Sequence, residues 1–145
     1  MKFRRTLALM GLLTAPGWQV LAEEAVAPRV TIRQVMESVI VPATNTLWGA
    51  EDPLTDADWK LLEDAAVSVI TAGVAINMGG SGSRDDDWAQ QPVWRRLSRT
   101  MTDAAVDSLA AIHKKDIEAL LEAGYVLYPP CEECHKQFNP GVVNQ

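Results

Sequence analysis

From Ile117 to Phe138 one stripe of mostly apolar residues returns every three or four positions: Ile117, Leu120, Leu121, Gly124, Leu127, Tyr128, Cys131, Cys134, His135 and Phe138. That period marks one face of a helix turned towards a core. The chain's only two cysteines and one of its two histidines lie on the stripe. Whatever chemistry they carry is thereby directed inward, among apolar neighbours.

Three further stripes precede it. From Val30 the residues Ile32, Val35, Met36, Val39, Ile40, Ala43 and Leu47 predict a first helix ending near Trp48-Gly49. Pro42 should kink or shorten it, because proline has no N–H and its ring strikes the preceding turn. Thr55 is the expected N-cap of a second helix, with Asp56 and Asp58 favourable in its first turn. Its face runs Trp59, Leu62, Ala66, Val69, Ile70 and Gly73 to about Asn77. Gly79-Gly80-Ser81-Gly82-Ser83 reads as a flexible linker within one domain. No strand precedes it and no Gly-Lys-Ser/Thr follows, which argues against a phosphate loop.

A third helix is expected to start between Asp85 and Pro92 and to carry Trp88, Trp94, Leu97, Met101, Ala104, Ala105, Leu109 and Ile112. Lys114-Lys115 makes the turn and Asp116 caps the fourth helix. Pro129-Pro130 should kink that helix or start a new short one at Pro130. Four helical segments, short connections and no strand pattern predict an all-α, antiparallel up-down-up-down four-helix bundle.

Cys131-Glu132-Glu133-Cys134-His135 has the pattern of a c-type haem attachment site. Two thiols at that spacing can add to the two vinyl groups of a porphyrin, and the next imidazole then becomes the proximal iron ligand. Haem would thus sit covalently in the core. Other readings compete. A thioredoxin-like redox pair normally follows a strand in a βαβ unit, and none appears here. A zinc site could use Cys131, Cys134, His135 and His113, but adjacent Cys134 and His135 point in different directions on a helix. A Cys131–Cys134 disulfide would close a very small loop and contribute little to a fold.

The start of the chain bears on that choice. Lys2, Arg4 and Arg5 precede an apolar run from Leu7 to Leu13, and Val20-Leu21-Ala22 precedes Glu23-Glu24. A basic region, a short apolar region and small residues at the −3 and −1 positions predict a signal peptide over residues 1–22, cleaved after Ala22. The apolar run is short for a membrane span, so no integral span is expected in the mature protein, residues 23–145. Export to the periplasm suits covalent haem, which bacteria attach outside the cytoplasm. Removing residues 1–22 takes away three of the thirteen Lys and Arg and none of the nineteen Asp and Glu, leaving a net charge of about −9. Such a surface argues against nucleic acid and anionic membrane as partners and suits a basic docking patch on another protein.

The final segment, from Asp116-Ile117-Glu118 through Cys131-Glu132-Glu133-Cys134-His135-Lys136-Gln137-Phe138, resembles the cytochrome c-prime superfamily. Members carry Cys-x-x-Cys-His and an aromatic at the end of an Asp-led fourth helix. Thr31-Ile32-Arg33-Gln34-Val35-Met36 is similar to the family's opening Arg-Gln segment, in which low-spin members carry a methionine as distal ligand. The resemblance implies one haem c, held by Cys131 and Cys134, with His135 proximal and Met36 distal. Met78 and Met101 are weaker distal candidates. It also implies homodimers formed through the first two helices. Arg33 is the candidate contact for a haem propionate, His113 reads as helix-end surface, and the tryptophans as lining of the core and haem pocket.

The expected function is single-electron transfer to and from a redox partner protein. The alternative is a gas-binding or sensing cytochrome c-prime with an open distal face. No enzyme activity is expected: Asp85-Asp86-Asp87 and Glu132-Glu133 read as exposed helix-end charge with no partner base.

Overall fold

The computed structural model describes residues 27–143 apart from residue 53, so the expected leader over residues 1–22 and Trp18 lie outside the described residues. All regular structure among the described residues is helical. The first helical region comprises α1 (Ile32–Val35), a π-turn (Met36–Ile40) and α2 (Val41–Trp48). After it come α3 (Asp56–Asn77), α4 (Asp85–Gln90), α5 (Pro92–His113), α6 (Ile117–Phe138) and α7 (Pro140–Val143).

The starts follow from side chains that satisfy the free N–H groups of a first turn. Thr31 Oγ1 accepts from Gln34 N while Gln34 Oε1 accepts from Thr31 N, a capping box that opens α1. Thr55 and Asp58 do the same for α3, and Asp116 accepts from Ala119 N at the start of α6. Pro92 takes the first position of α5, where its missing N–H does no harm. That helix ends with Lys115 at φ 53°, while Lys115 N and Asp116 N bond back to Ile112 O and Ala111 O. This is a Schellman ending with lysine in the place glycine usually takes.

The kink expected at Pro42 takes a definite form. Proline cannot donate to the carbonyl four residues back, and its ring would strike there. The hydrogen-bond ladder slips instead by one residue, so that Val41 N reaches Met36 O and a π-turn forms immediately before the proline.

Three expectations are corrected. Pro129 and Pro130 do not start a new helix; α6 runs unbroken from Ile117 to Phe138. The two carbonyls left without N–H partners belong to Tyr125 and Val126, both exposed, where water can serve them. The glycine-rich stretch is no flexible linker: Gly79 and Gly80 are buried against α4, and Gly80 also against the start of α1. Asp85 is not exposed helix-end charge but is buried, and its Oδ2 accepts from Ile32 N and Gly82 N, each at 2.9 Å. A methyl group on Gly80 would stand 2.3 Å from that oxygen, so only glycine lets the loop close round it.

The long helices alternate in direction. Trp94 Nε1 donates to Ile76 O and Ser98 Oγ to Asn77 Oδ1, which places the start of α5 at the end of α3. Arg96 pairs with Glu133 at 2.9 Å, joining the start of α5 to the end of α6. Trp48 Nε1 donates to Gly124 O at 3.0 Å, so α2 ends beside the first half of α6. The core between them holds Leu47, Leu62, Ala66, Val69, Leu97, Ala105, Leu120 and Leu127.

Candidate functional site

Cys131, Cys134 and His135 stand one helical turn apart on α6, at spacings of three and four that bring side chains onto one face. All three border a cavity of about 310 Å³ between α6, α5 and the first helical region. Met36, Ile40, Thr44, Leu97 and Met101 complete much of its apolar wall. A second cavity of about 300 Å³ lies beside it, bordered by Ile32, Arg33, Trp88, Trp94 and Phe138. Met36, Val41, Cys134 and His135 border both cavities. The residues from the two ends of the sequence thus meet along one seam. The volumes lie at the lower end of the range of about 300–1,000 Å³ usual for ligand and cofactor sites.

Burial governs the electrostatics of the seam. It pushes the Cys131 thiol up to about 11, and the Cys134 thiol up to about 12 with help from the neighbouring Cys131 and Glu133. Both thiols are protonated at neutral pH, and the Cys131 S–H points back to Leu127 O at 3.3 Å. Burial also lowers His135 below its ordinary value, leaving a neutral imidazole with a lone pair to offer.

This arrangement bears on the readings of the motif. A redox-active pair needs a thiolate favoured by a helix N-terminus or a nearby cation. Here the cysteines sit in the last third of a helix, under a dipole of the wrong sign, with raised values. The four-ligand zinc set is not assembled either. Cys134 and His135 border the same cavities despite their adjacency, so their directions are not the obstacle. His113 is the obstacle: it ends α5, 3.6 Å from Glu63, at the far end from Arg96 and Glu133. Along α5 that separation is roughly 25 Å, at about 1.5 Å per residue. No group of three or more His, Cys, Asp or Glu side chains is gathered as a metal cluster among the described residues. The two cysteines are both free.

The remaining candidates divide. Met101 is buried on the wall of the larger cavity, while Met78 is 65 % exposed at the end of α3 and borders neither. Arg33 lies on the rim of the second cavity, exposed and paired with Glu37 at 2.7 Å. Glu132 is half-buried at the larger cavity and paired with Lys136, whereas Glu133 is exposed. Of the tryptophans, Trp88 and Trp94 border the second cavity and Trp48 the first, but Trp59 is core alone.

One polar atom beside the second cavity stands without a partner. Trp88 stacks on Trp94 at 5.7 Å and meets Phe138 edge-on, yet its buried Nε1 has no hydrogen-bond partner among the described residues. A buried N–H without an acceptor costs about 1–3 kcal/mol. With two protonated thiols, a neutral imidazole, a thioether and apolar walls, the residues fit a covalently held haem. Periodicity had placed Trp88 on the third stripe, but nothing in the sequence marked its N–H as unpartnered.

No family model, no curated protein and no solved structure matches this chain.

Proposed function

We propose that the chain is an exported, periplasmic mono-haem c-type cytochrome that carries single electrons, an antiparallel four-helix bundle of the cytochrome c-prime kind with haem in its core. The observation that supports this reading is the convergence of Cys131, Cys134 and His135 from α6 with Met36 from the π-turn on one cavity, three of them bordering the second as well. When bound, haem supplies a one-electron Fe(III)/Fe(II) couple. The rest falls to the chain's own residues. Cys131 and Cys134 would hold the group through thioethers, each S–H adding across a vinyl group with no atom lost. His135 offers a neutral ring nitrogen, and Met36 a soft thioether that favours the reduced metal. The apolar walls would keep water out, and Arg33 on the rim of the second cavity would face a propionate. The partner is a one-electron redox protein that is reduced as this protein is oxidised.

An optical spectrum of the exported, reduced protein with and without CO tests this. A c-type spectrum that CO leaves unchanged is expected, since both axial positions are then filled. A strong shift with CO would replace electron transfer by the gas-binding reading. Absence of haem from cells able to mature cytochromes c would overturn both.

A further inference from the structure

The second feature that the fold builds at the cysteine seam faces outward. Between α2 and α6 lies an open groove of about 370 Å³, bordered by Leu47, Trp48, Leu121, Gly124, Tyr125 and Tyr128 among others. Tyr125 is 81 %, Tyr128 55 %, Leu121 44 % and Trp48 39 % exposed. Single exposed apolar residues need no explanation, but a contiguous aromatic patch marks a contact surface.

The patch is also held in shape. Trp48 donates its indole N–H to Gly124 O and meets Tyr128 edge-on at 6.0 Å. A methyl group on Gly124 would stand 3.3 Å from Trp48 Cδ1, so the indole lies directly on the α6 backbone. Aromatics fixed before contact lose little freedom on binding, which suits them as anchors. Trp48 and Tyr128 also border the cavity that Cys131 lines, so the groove and the cysteine seam share a wall.

Charge says what would cover it. Between Glu37 and Lys60 the sequence has no Lys or Arg, and between Lys115 and Lys136 again none. The same stretches hold Glu51, Asp52, Asp56 and Asp58, and Asp116, Glu118, Glu122, Glu132 and Glu133. Along α6, Glu118, Glu122, Tyr125 and Glu132 follow at helical spacing, an acidic edge beside the aromatic strip. Asp56, Glu132 and Glu133 are offset by Lys115, Lys136 and Arg96, which leaves Glu118 and Glu122 as the acids of α6 beside the groove with no ion pair among the described residues. A second copy brought face to face would oppose this acidic edge to itself.

We propose that the α2–α6 groove is the docking face for a one-electron redox protein whose own contact patch is apolar and ringed by lysines. Opposite charges steer the encounter, and Trp48, Tyr125 and Tyr128 fix the contact. The inference rests on the haem reading for the electron it delivers, but not for the binding.

The test is an NMR titration of the isotope-labelled, haem-loaded protein with a lysine-rich mitochondrial cytochrome c as the basic probe. Perturbation of the Trp48 indole N–H and of the amides from Glu118 to Tyr128 is expected. Raising salt from about 0.01 M to about 0.15 M shortens the screening length from about 30 Å to about 8 Å and should remove most of the binding. Tyr125→Ser, and separately Glu118→Gln with Glu122→Gln, should weaken it about tenfold, whereas Leu61→Ser on α3 should not. A footprint centred on α3, an affinity indifferent to salt, or self-association that Tyr125→Ser abolishes would overturn the proposal. A protein isolated without haem that keeps this footprint would overturn the haem reading and leave the docking face standing.

Discussion

Asp85 Oδ2 accepts the backbone N–H of Ile32 at 2.9 Å, tying the first turn of α1 to the start of α4. The same oxygen takes Gly82 N, and Ser81 N bonds Val30 O alongside it. Met36 lies one turn beyond this tie. A buried carboxylate far along the sequence therefore fixes where the first helix, and with it Met36, begins.

Asp85→Ala should strand two N–H groups and lower stability by about 2–4 kcal/mol. Asp85→Asn, which keeps one acceptor oxygen, should lose about half of that. Gly80→Ala should destabilise through the same contact, since its methyl would stand 2.3 Å from Asp85 Oδ2 and 3.0 Å from Ile32 N. The losses of Gly80→Ala and Asp85→Ala should then be far from additive in a double-mutant cycle read by denaturant unfolding. Simple additivity would show that the two residues act separately.

In protein prepared without haem, both thiols should be poor nucleophiles. Raising Cys131 from its usual 9.0 to about 11 cuts its thiolate fraction about a hundredfold at neutral pH. Alkylation by iodoacetamide should be slower than that of a small free thiol by about that factor, and should recover in denaturant. Rates equal to the free thiol in the folded protein would contradict the burial.

The haem-free protein should also lose stability in mild acid. His135 in the folded chain sits below its ordinary value of 6.5, so the unfolded chain takes up a proton first as pH falls. The stability is whole above about 6.5 and declines as pH falls from there through the lowered folded value. Asp56 and Asp58, held below their ordinary 3.8 by Lys115 and Thr55 respectively, weaken the fold only at much lower pH. Urea midpoints from pH 8 to pH 5 should show the slope, and His135→Gln should flatten it.

Met36→Ala in the haem-loaded protein should convert a spectrum that CO leaves unchanged into one that CO shifts. Met101→Leu, a change on the wall of the same cavity, should leave the CO response as it was. A CO response that moves with Met101 instead would give that residue the distal role.

Much of this was legible in the residues, and the exceptions share a cause. Thr55 and Asp116 as caps, and the stripes of α3, α5 and α6, follow from local hydrogen bonding and from a period of 3.6. Cys131, Cys134 and His135 share a cavity because their spacing allows nothing else on a helix. Asp85 escaped because its partners lie in α1 and the glycine turn, and composition alone makes that turn look loose. The fate of Pro129 and Pro130 depended on whether the unpaired carbonyls of Tyr125 and Val126 could reach water, which is a property of the packed molecule. Long-range partners and exposure are not written in a local pattern.

The π-turn before Pro42 has one consequence for how the first helix counts its residues. It divides that helix into two cylinders whose faces are out of phase by one position. Met36 reaches the seam in the phase set by Ile32 and the Asp85 tie, while Thr44, Asn45 and Trp48 face the same cavity in the phase set after Val41. On a regular helix at 100° per residue, Met36 and Trp48, twelve positions on, would stand about 120° apart, and the slip of the π-turn brings them to within about 20° of each other. The two ends of the cavity are thus held to a common face by one surplus residue.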